Sequence, residues 1–299
     1  MNFAKLLTRP RQLKALTGVS KTEFADLLVV FTPVVKQILR AQSMASTRKF
    51  GGGPKGKLAS FEAKLFFILL YTKVYPTFDV LGFMVDFDRS RACRNAHFLL
   101  TALEKSLGRK IVLPERKIRS VAELFHKFPD LKDVFVDGIE RPVQRPKKQK
   151  QQRKLYSGKK KTHTKKSVVV VDEKKYILFL SKTKSGRRHD KRLADKQTLF
   201  EGIPESVTVW ADTGFVGVAK QHRNTMIPKK ATKRNPLTYQ EKQENKVISG
   251  LRVIVEHAIG GMKRFRSLAD IYRNKKTFME DSFLRVAAGL WNLHLQHTT

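Results

Sequence analysis

Two short apolar runs most constrain what this chain can fold into. One is Val134-Phe135-Val136, which ends at Asp137-Gly138, and the other is residues 207–211, which end at Asp212-Thr213-Gly214. A strand covered on both faces reads as a nearly unbroken apolar run, so both are expected at the centre of a sheet. Between them, residues 163–171 and 176–182 are β-rich and flank the turn-like Asp172-Glu173-Lys174-Lys175, which predicts a hairpin. Residues 191–200 read as a helix and 224–227 as a further strand. Residues 236–266 form one long helix or two in tandem, and 278–295 a last helix with Phe283, Leu284, Val286, Ala287, Leu290, Trp291 and Leu295 as its apolar side. From residue 134 onward the expected class is α/β.

The chain before this point reads as all-α. Residues 22–39 place Phe24, Leu27, Leu28, Phe31, Val35, Ile38 and Leu39 near helical spacing. Residues 48–57 (RKFGGGPKGK) then form a Gly/Pro/basic loop, either a linker or an arm that tracks DNA. Ser60 is placed to cap a helix over 61–71. A second helix fits 77–85, Asp86-Phe87-Asp88 makes a turn, and a third helix fits 89–107 with Gly108 as its stop. Helix, turn and longer helix form a helix-turn-helix pattern, and its last helix opens with Arg89, Arg91, Arg94 and Asn95. The start of a recognition helix is where side chains meet base edges and phosphates. In a plain three-helix bundle the same residues would be solvated charges. Three segments result: a helical region and basic linker over 1–57, a helix-turn-helix region over 58–110 and a catalytic domain over 111–299.

The charge narrows the partner. Lys plus Arg number 61 against 26 Asp plus Glu, a formal net charge of +35. Such an imbalance repels itself in a compact chain, and a polyanion relieves it. Nucleic acid fits best, either as a substrate or as something the protein coats without chemistry. A membrane surface fits less well, because no isolated basic amphipathic helix stands out. The single cysteine, Cys93, excludes an intrachain disulfide and a cysteine-rich zinc site. No apolar leader opens the sequence, and the longest apolar run, 65–71, is too short to span a bilayer. An intracellular protein is expected, cytoplasmic on chromosomal DNA if the source is bacterial.

The two strand-end aspartates carry the chemistry. In open α/β sheets, reactive groups gather where strands end. If the strands are neighbours, two carboxylates lie side by side and repel unless a cation stands between them. Magnesium suits such a pair, since it takes oxygen ligands and leaves room for water and phosphate. Taken alone, each aspartate before its glycine reads as a turn rather than as a ligand. On the long helix, Val247, Leu251, Ile254, Ala258, Met262 and Phe265 form an apolar stripe. Another face carries Asn245, Ser249, Arg252, Glu256, Gly260 and Lys263, with Glu256 its sole acid. That face can turn Glu256 to a metal and its cations to phosphates, or carry a plain Arg252–Glu256 surface ion pair.

Three longer words add a resemblance. VDGIERPVQRPKKQKQQRKLYSGKKKTHTKKSVVVV, WADTGFVG and LRVIVEHAIGGMKRFR resemble, in order, the three catalytic blocks of DDE transposases of the insertion-sequence-5 type and their Harbinger relatives. The resemblance covers about residues 58–295 and implies a ribonuclease H-like core. It also implies a metal-binding triad of Asp137, Asp212 and Glu256 that holds magnesium or manganese, two ions in all. The implied activity is metal-dependent DNA cleavage and strand transfer on double-stranded DNA, at terminal inverted repeats and a target, by a homo-oligomer. A domesticated DNA-binding protein or a nuclease that does not join strands is the alternative. Asp190, in GRRHDKRLAD, opens a helix rather than closing a strand and is expected as its cap or as a group behind the ligands.

Residues 141–166 hold twelve cations and no acid, directly after the first catalytic strand. Arg145, Lys159, Lys160 and Lys161 are expected on phosphates, and Tyr156 or His163 stacked on or hydrogen-bonded to DNA. Tyr156-Ser157-Gly158-Lys159 reads as a turn. Lys229, Lys230, Lys233 and Arg234 form a second basic loop, and Arg252 and Lys263 are expected to position DNA.

Overall fold

A computed structural model describes residues 7–44, 56–116, 123, 126–233, 235–276 and 279–298. Most of the expected basic linker (48–55), Arg234 and Phe278 lie outside the described residues. The chain divides into two units. One comprises residues 1–113, 262–270 and 274–299, and the other 114–261 and 271–273.

The first unit is helical. Helices α1 (Pro10–Thr17) and α2 (Lys21–Met44) open it. A capping box starts α2: the Ser20 N–H donates to Glu23 Oε2 at 2.7 Å, and the Glu23 N–H donates back to Ser20 Oγ at 3.2 Å. Ser60 caps α3 (Phe61–Val74) as expected, accepting from the Ala63 N–H at 3.1 Å. Every residue of α3 from Leu65 to Thr72 is buried, so this helix is apolar on all sides rather than on one. Thr77 caps α4 (Phe78–Val85), which ends at Asp86 with φ of 57°. A Cβ on Gly82 would lie 2.5 Å from the Phe87 carbonyl oxygen, so the tight return after α4 requires glycine there.

Asp88 then accepts from the Arg91 N–H at 2.8 Å and opens α5 (Arg89–Arg109). Gly108 was expected to end this helix and does not. The buried face of α5 continues through Ala102, Leu103, Ser106 and Leu107, and the Lys110 N–H still donates to the Ser106 carbonyl, so Gly108 stays inside the helix. The chain turns instead at Ile111, with φ of 57°.

The second unit holds the sheet: β1 (Asp133–Pro142), β2 (Tyr156–Ser157), β3 (Thr162–Asp172), β4 (Ile177–Leu180), β5 (Lys184–Ser185), β6 (Thr208–Ala211) and β7 (Thr225–Met226). Its order is β2-β3-β1-β6-β7, with β4 and β5 also paired to β3. β1 runs antiparallel to β3 and parallel to β6, and β6 runs parallel to β7. The apolar runs are central as expected, with Val134, Val136, Val209 and Ala211 buried in one core with Val168, Val170, Leu193, Phe200 and Phe215.

Four readings change in this unit. β1 does not stop at Asp137: residues 137–142 keep pairing with β3, from Asp137↔Val169 to Pro142↔Thr164. The basic stretch is not a bare run, since it folds into α6 (Gln149–Leu155) and β2. The helix expected over 191–200 shrinks to α7 (Asp190–Asp195), after which Thr198 takes a φ of 48° and a single 3-10 turn follows at Phe200–Gly202. The long helical stretch takes the tandem form that the sequence allowed, α8 (Tyr239–Lys263) and the short α9 (Arg266–Ala269), the latter in the helical unit, but its apolar stripe shifts. On α8, Val255, Ala258 and Met262 are buried, whereas Val247, placed on the apolar stripe, is 62% exposed.

The last helix, α10 (Met279–Gln296), belongs to the helical unit, where Asn292 donates to the Val112 carbonyl at 2.9 Å. Among the described residues no helix is long and apolar enough to cross a membrane.

Candidate active site

The parallel pairing of β1 with β6 sets the site. Its last paired residues are Val136 and Ala211, so the next residue on each strand, Asp137 and Asp212, leaves the ladder side by side. Each aspartate carboxylate accepts from the backbone N–H of the residue that follows it. Asp137 Oδ1 accepts from the Gly138 N–H at 2.7 Å. Asp212 Oδ1 accepts from the Thr213 N–H at 2.6 Å and from the Thr213 hydroxyl at 3.2 Å.

One cation stands against both. From α8, Arg252 brings Nη2 to 3.6 Å from Asp137 Oδ2 and Nη1 to 3.7 Å from Asp212 Oδ1. Both distances exceed a good hydrogen bond, and Arg252 Nε is buried without a hydrogen-bond partner. The guanidinium therefore neutralises the pair without being clamped by it. Lys159 approaches Asp212 Oδ2 at 4.0 Å.

A third carboxylate enters from α7. Asp190 was expected as a helix cap or as a group behind the ligands; His189 holds the cap position, and Asp190 is the first helical residue, close enough to Asp137 to act on its charge. Its carboxylate fills the space over Gly138 and Gly214. A Cβ on Gly138 would meet Asp190 Oδ1 at 2.7 Å, and one on Gly214 would meet Oδ2 at 3.2 Å. Lys166, itself buried, stands 3.2 Å from Asp190 Oδ1, although that oxygen accepts no hydrogen bond. Burial pushes the Asp137 carboxyl up from its ordinary value, and the negative charges of Asp212 and Asp190 push it further. The Gly138 N–H and Arg252 oppose them.

Glu256 lies one helical turn beyond Arg252, is exposed, and makes no ion pair with Arg252. α8 thus turns Arg252, not Glu256, to the two aspartates. Among the described residues no three acidic, histidine or cysteine side chains stand close enough to hold one ion together. The acidic groups beside Asp137 nonetheless offer only carboxylate oxygens, among them the orphaned buried Oδ1 of Asp190. These properties suit a hard divalent cation.

A cavity of about 1120 Å³ opens beside Asp212 and Asp190. Tyr156, Lys159, His163, Lys166, Arg188 and Lys230 are among the side chains that line it. The expected Arg145, Lys159, His163 and Lys230 all line this cavity, whereas Lys160 and Lys161 are exposed on the β2–β3 turn. Lys229 is engaged elsewhere, paired with Glu241 at 3.4 Å and Glu244 at 3.2 Å. Lys263 is half-buried at the end of α8. In the helical unit, Arg89, Arg91 and Arg94 are exposed at the start of α5, with Arg91 packed 4.7 Å over the Phe87 ring, and Asn95 donates to the Arg91 carbonyl at 2.9 Å.

An acid cluster set into a basic cavity can hold a cation against a polyanion. The comparisons give that arrangement a family. The DDE superfamily endonucleases match residues 136–292, and the chain belongs to that family. A relative described as a probable transposase for insertion sequence element IS702, from Microchaete diplosiphon, is 31% identical over 294 residues, 98% of this chain and 97% of that one. No solved structure matches the chain.

Proposed function

We propose that the chain is a DNA transposase of the insertion-sequence-5 type, related to the Harbinger transposases, that binds the terminal inverted repeats of its element, cuts there and joins the ends to target DNA. The observation that carries this reading is the placement of Asp137 and Asp212 side by side, one residue beyond the last pair of adjacent parallel strands, with Asp212 lining a basic cavity. A full-length relationship to a probable transposase supports it. The sheet order, with an antiparallel run of strands followed by parallel β6 and β7, supports a ribonuclease H-like core.

Members of this family generally use divalent metal. Asp137 and Asp212 would hold magnesium or manganese, with Glu256 as the third acid, in a site for two ions. Bound metal supplies charge neutralisation at the scissile phosphate and a water acidic enough to attack it.

The chain's own groups do the rest. Asp190, paired with Lys166, packs over Gly138 and Gly214 beside the aspartates. Arg252 balances the aspartate charges and, with Lys263, positions DNA. Arg145, Lys159, Lys160, Lys161, His163, Lys229 and Lys230 lie along the path of the backbone. Arg89, Arg91, Arg94 and Asn95, in the helix-turn-helix of residues 58–110, read the repeat. The working form is a homo-oligomer on double-stranded DNA, inside the cell.

The test is a strand-transfer assay with the element's own flanking repeats and magnesium. Cutting at the repeat followed by joining to target supports the proposal. Cutting without joining makes the chain a nuclease, and specific binding without cutting makes it a DNA-binding protein.

A further inference from the structure

The cavity beside Asp212 carries more than phosphate-binding cations. Tyr156 lines it and is 42% exposed, so part of its ring is open to a ligand. The ring is held in place. Tyr156 pairs with His163 across β2 and β3, and the two rings meet edge to face, 5.7 Å apart at 72°. A ring already fixed by its neighbour loses little freedom when a ligand stacks on it.

The cations around it are available. Lys159 and Lys166 face Asp212 and Asp190, but Arg153, Arg187, Arg188 and Lys230 have no acidic partner among the described residues. The volume, about 1120 Å³, exceeds the roughly 300–1,000 Å³ of a small-ligand site, so the recess has room for a nucleotide with its flanking phosphates.

A duplex buries the faces of its bases against one another and shows a protein only their edges and its phosphates. An aromatic face inside a cationic cavity is of use only to a base that has left the stack. We propose that the cavity takes an unpaired nucleotide of a DNA strand, with its base on Tyr156 and its flanking phosphates on Arg187, Arg188 and Lys230. This inference rests on the reading of the chain as a DNA-cutting enzyme and specifies the form of DNA it takes: a frayed or single-stranded end beside Asp212, not intact duplex.

The test is fluorescence anisotropy of the full chain, in chelator to prevent cutting and at one fixed salt concentration. The probes are a blunt DNA hairpin and the same hairpin with a short single-stranded 3′ overhang. The wild-type chain should prefer the overhang. Tyr156→Ala should weaken overhang binding by roughly 5- to 150-fold, the range that stacking of one base spans, and change blunt binding by less than about twofold. Tyr156→Phe, which keeps the ring, should retain the preference and shows that any loss is not misfolding. A free deoxynucleoside monophosphate should not displace the overhang, because it brings one phosphate to several cations. Equal weakening of both probes by Tyr156→Ala, or displacement by micromolar monophosphate, would overturn the proposal. A chain that prefers the overhang through Tyr156 yet cuts no DNA with magnesium would keep this subsite and refute only the cutting activity.

Discussion

Arg252 gives the sharpest test of the electrostatics. Its guanidinium is the cation shared by Asp137 and Asp212, at 3.6 and 3.7 Å. The three side chains are 15%, 20% and 25% exposed, so solvent screens them incompletely. At an effective dielectric of about 20, each attraction is worth about 4–5 kcal/mol gross. Removing Arg252 also removes its own desolvation penalty, which is several kcal/mol for a buried ion, and here Nε has no hydrogen-bond partner to offset it. The net loss for Arg252→Met, which keeps the aliphatic stem, should be about 2–3 kcal/mol in chelator. For a unit of this size that lowers the melting temperature by roughly 4–12 °C. Magnesium restores a cation between the aspartates, so most of the difference should vanish in excess magnesium. Thermal melts of both proteins, with chelator and with magnesium, decide it. Equal stability in chelator would refute the electrostatic argument, and a difference indifferent to metal would refute the aspartate pair as a metal site.

The same geometry makes further outcomes measurable. Arg91→Ala with Arg94→Ala should lower affinity for the terminal repeat more than for random DNA, by about 1–3 kcal/mol for each base whose readout is removed, measured by competition binding. Neutralising Lys159, Lys160 and Lys161 should weaken all DNA alike and flatten the salt dependence, because phosphates carry no sequence. At the β3–β4 turn, burial raises the Asp172 carboxyl above its ordinary 3.8, against the pull of the Tyr176 and Lys174 N–H groups. A raised acid costs stability only once it ionises, so Asp172→Asn, which can still accept from Tyr176, should stabilise the protein at pH 7. That gain should fade as pH falls through the raised value and be gone below 3.8, as followed by denaturant titration across pH.

Much of the site was readable because strand rules are local. An apolar run ending in aspartate identified Asp137 and Asp212, and parallel pairing did the rest. Local rules missed the continuation of β1, because the partner that extends it, β3, lies more than twenty residues away along the chain. Helical periodicity put Arg252 and Glu256 on one face, but only Arg252 faces the aspartates and Glu256 is exposed. Which of them meets the aspartates depends on how far α8 slides along the sheet, and no spacing encodes that. Asp190 was harder still: it arrives from a loop after β5, and its position is visible only as the space above Gly138 and Gly214. Two glycines, one directly after Asp137 and one two residues after Asp212, were the signal that something had to fit there. The cavity escaped for a similar reason, since Arg187 and Arg188 come to Tyr156 only through the pairing of β5 with β3.

In the proposed function, Asp137, Asp212 and Glu256 would hold the metal that DNA cleavage needs, while other groups bind the DNA. The direct measurement pairs cleavage with binding for Asp137→Ala, Asp212→Ala and Glu256→Ala, on terminal-repeat DNA in magnesium. Each variant should lose cleavage by several orders of magnitude and bind the repeat within a few-fold of wild type, since none of the three is assigned a phosphate to hold. Full cleavage by Glu256→Ala would remove that residue from the site, and folded Asp137→Ala and Asp212→Ala proteins that still cut DNA would contradict the account itself.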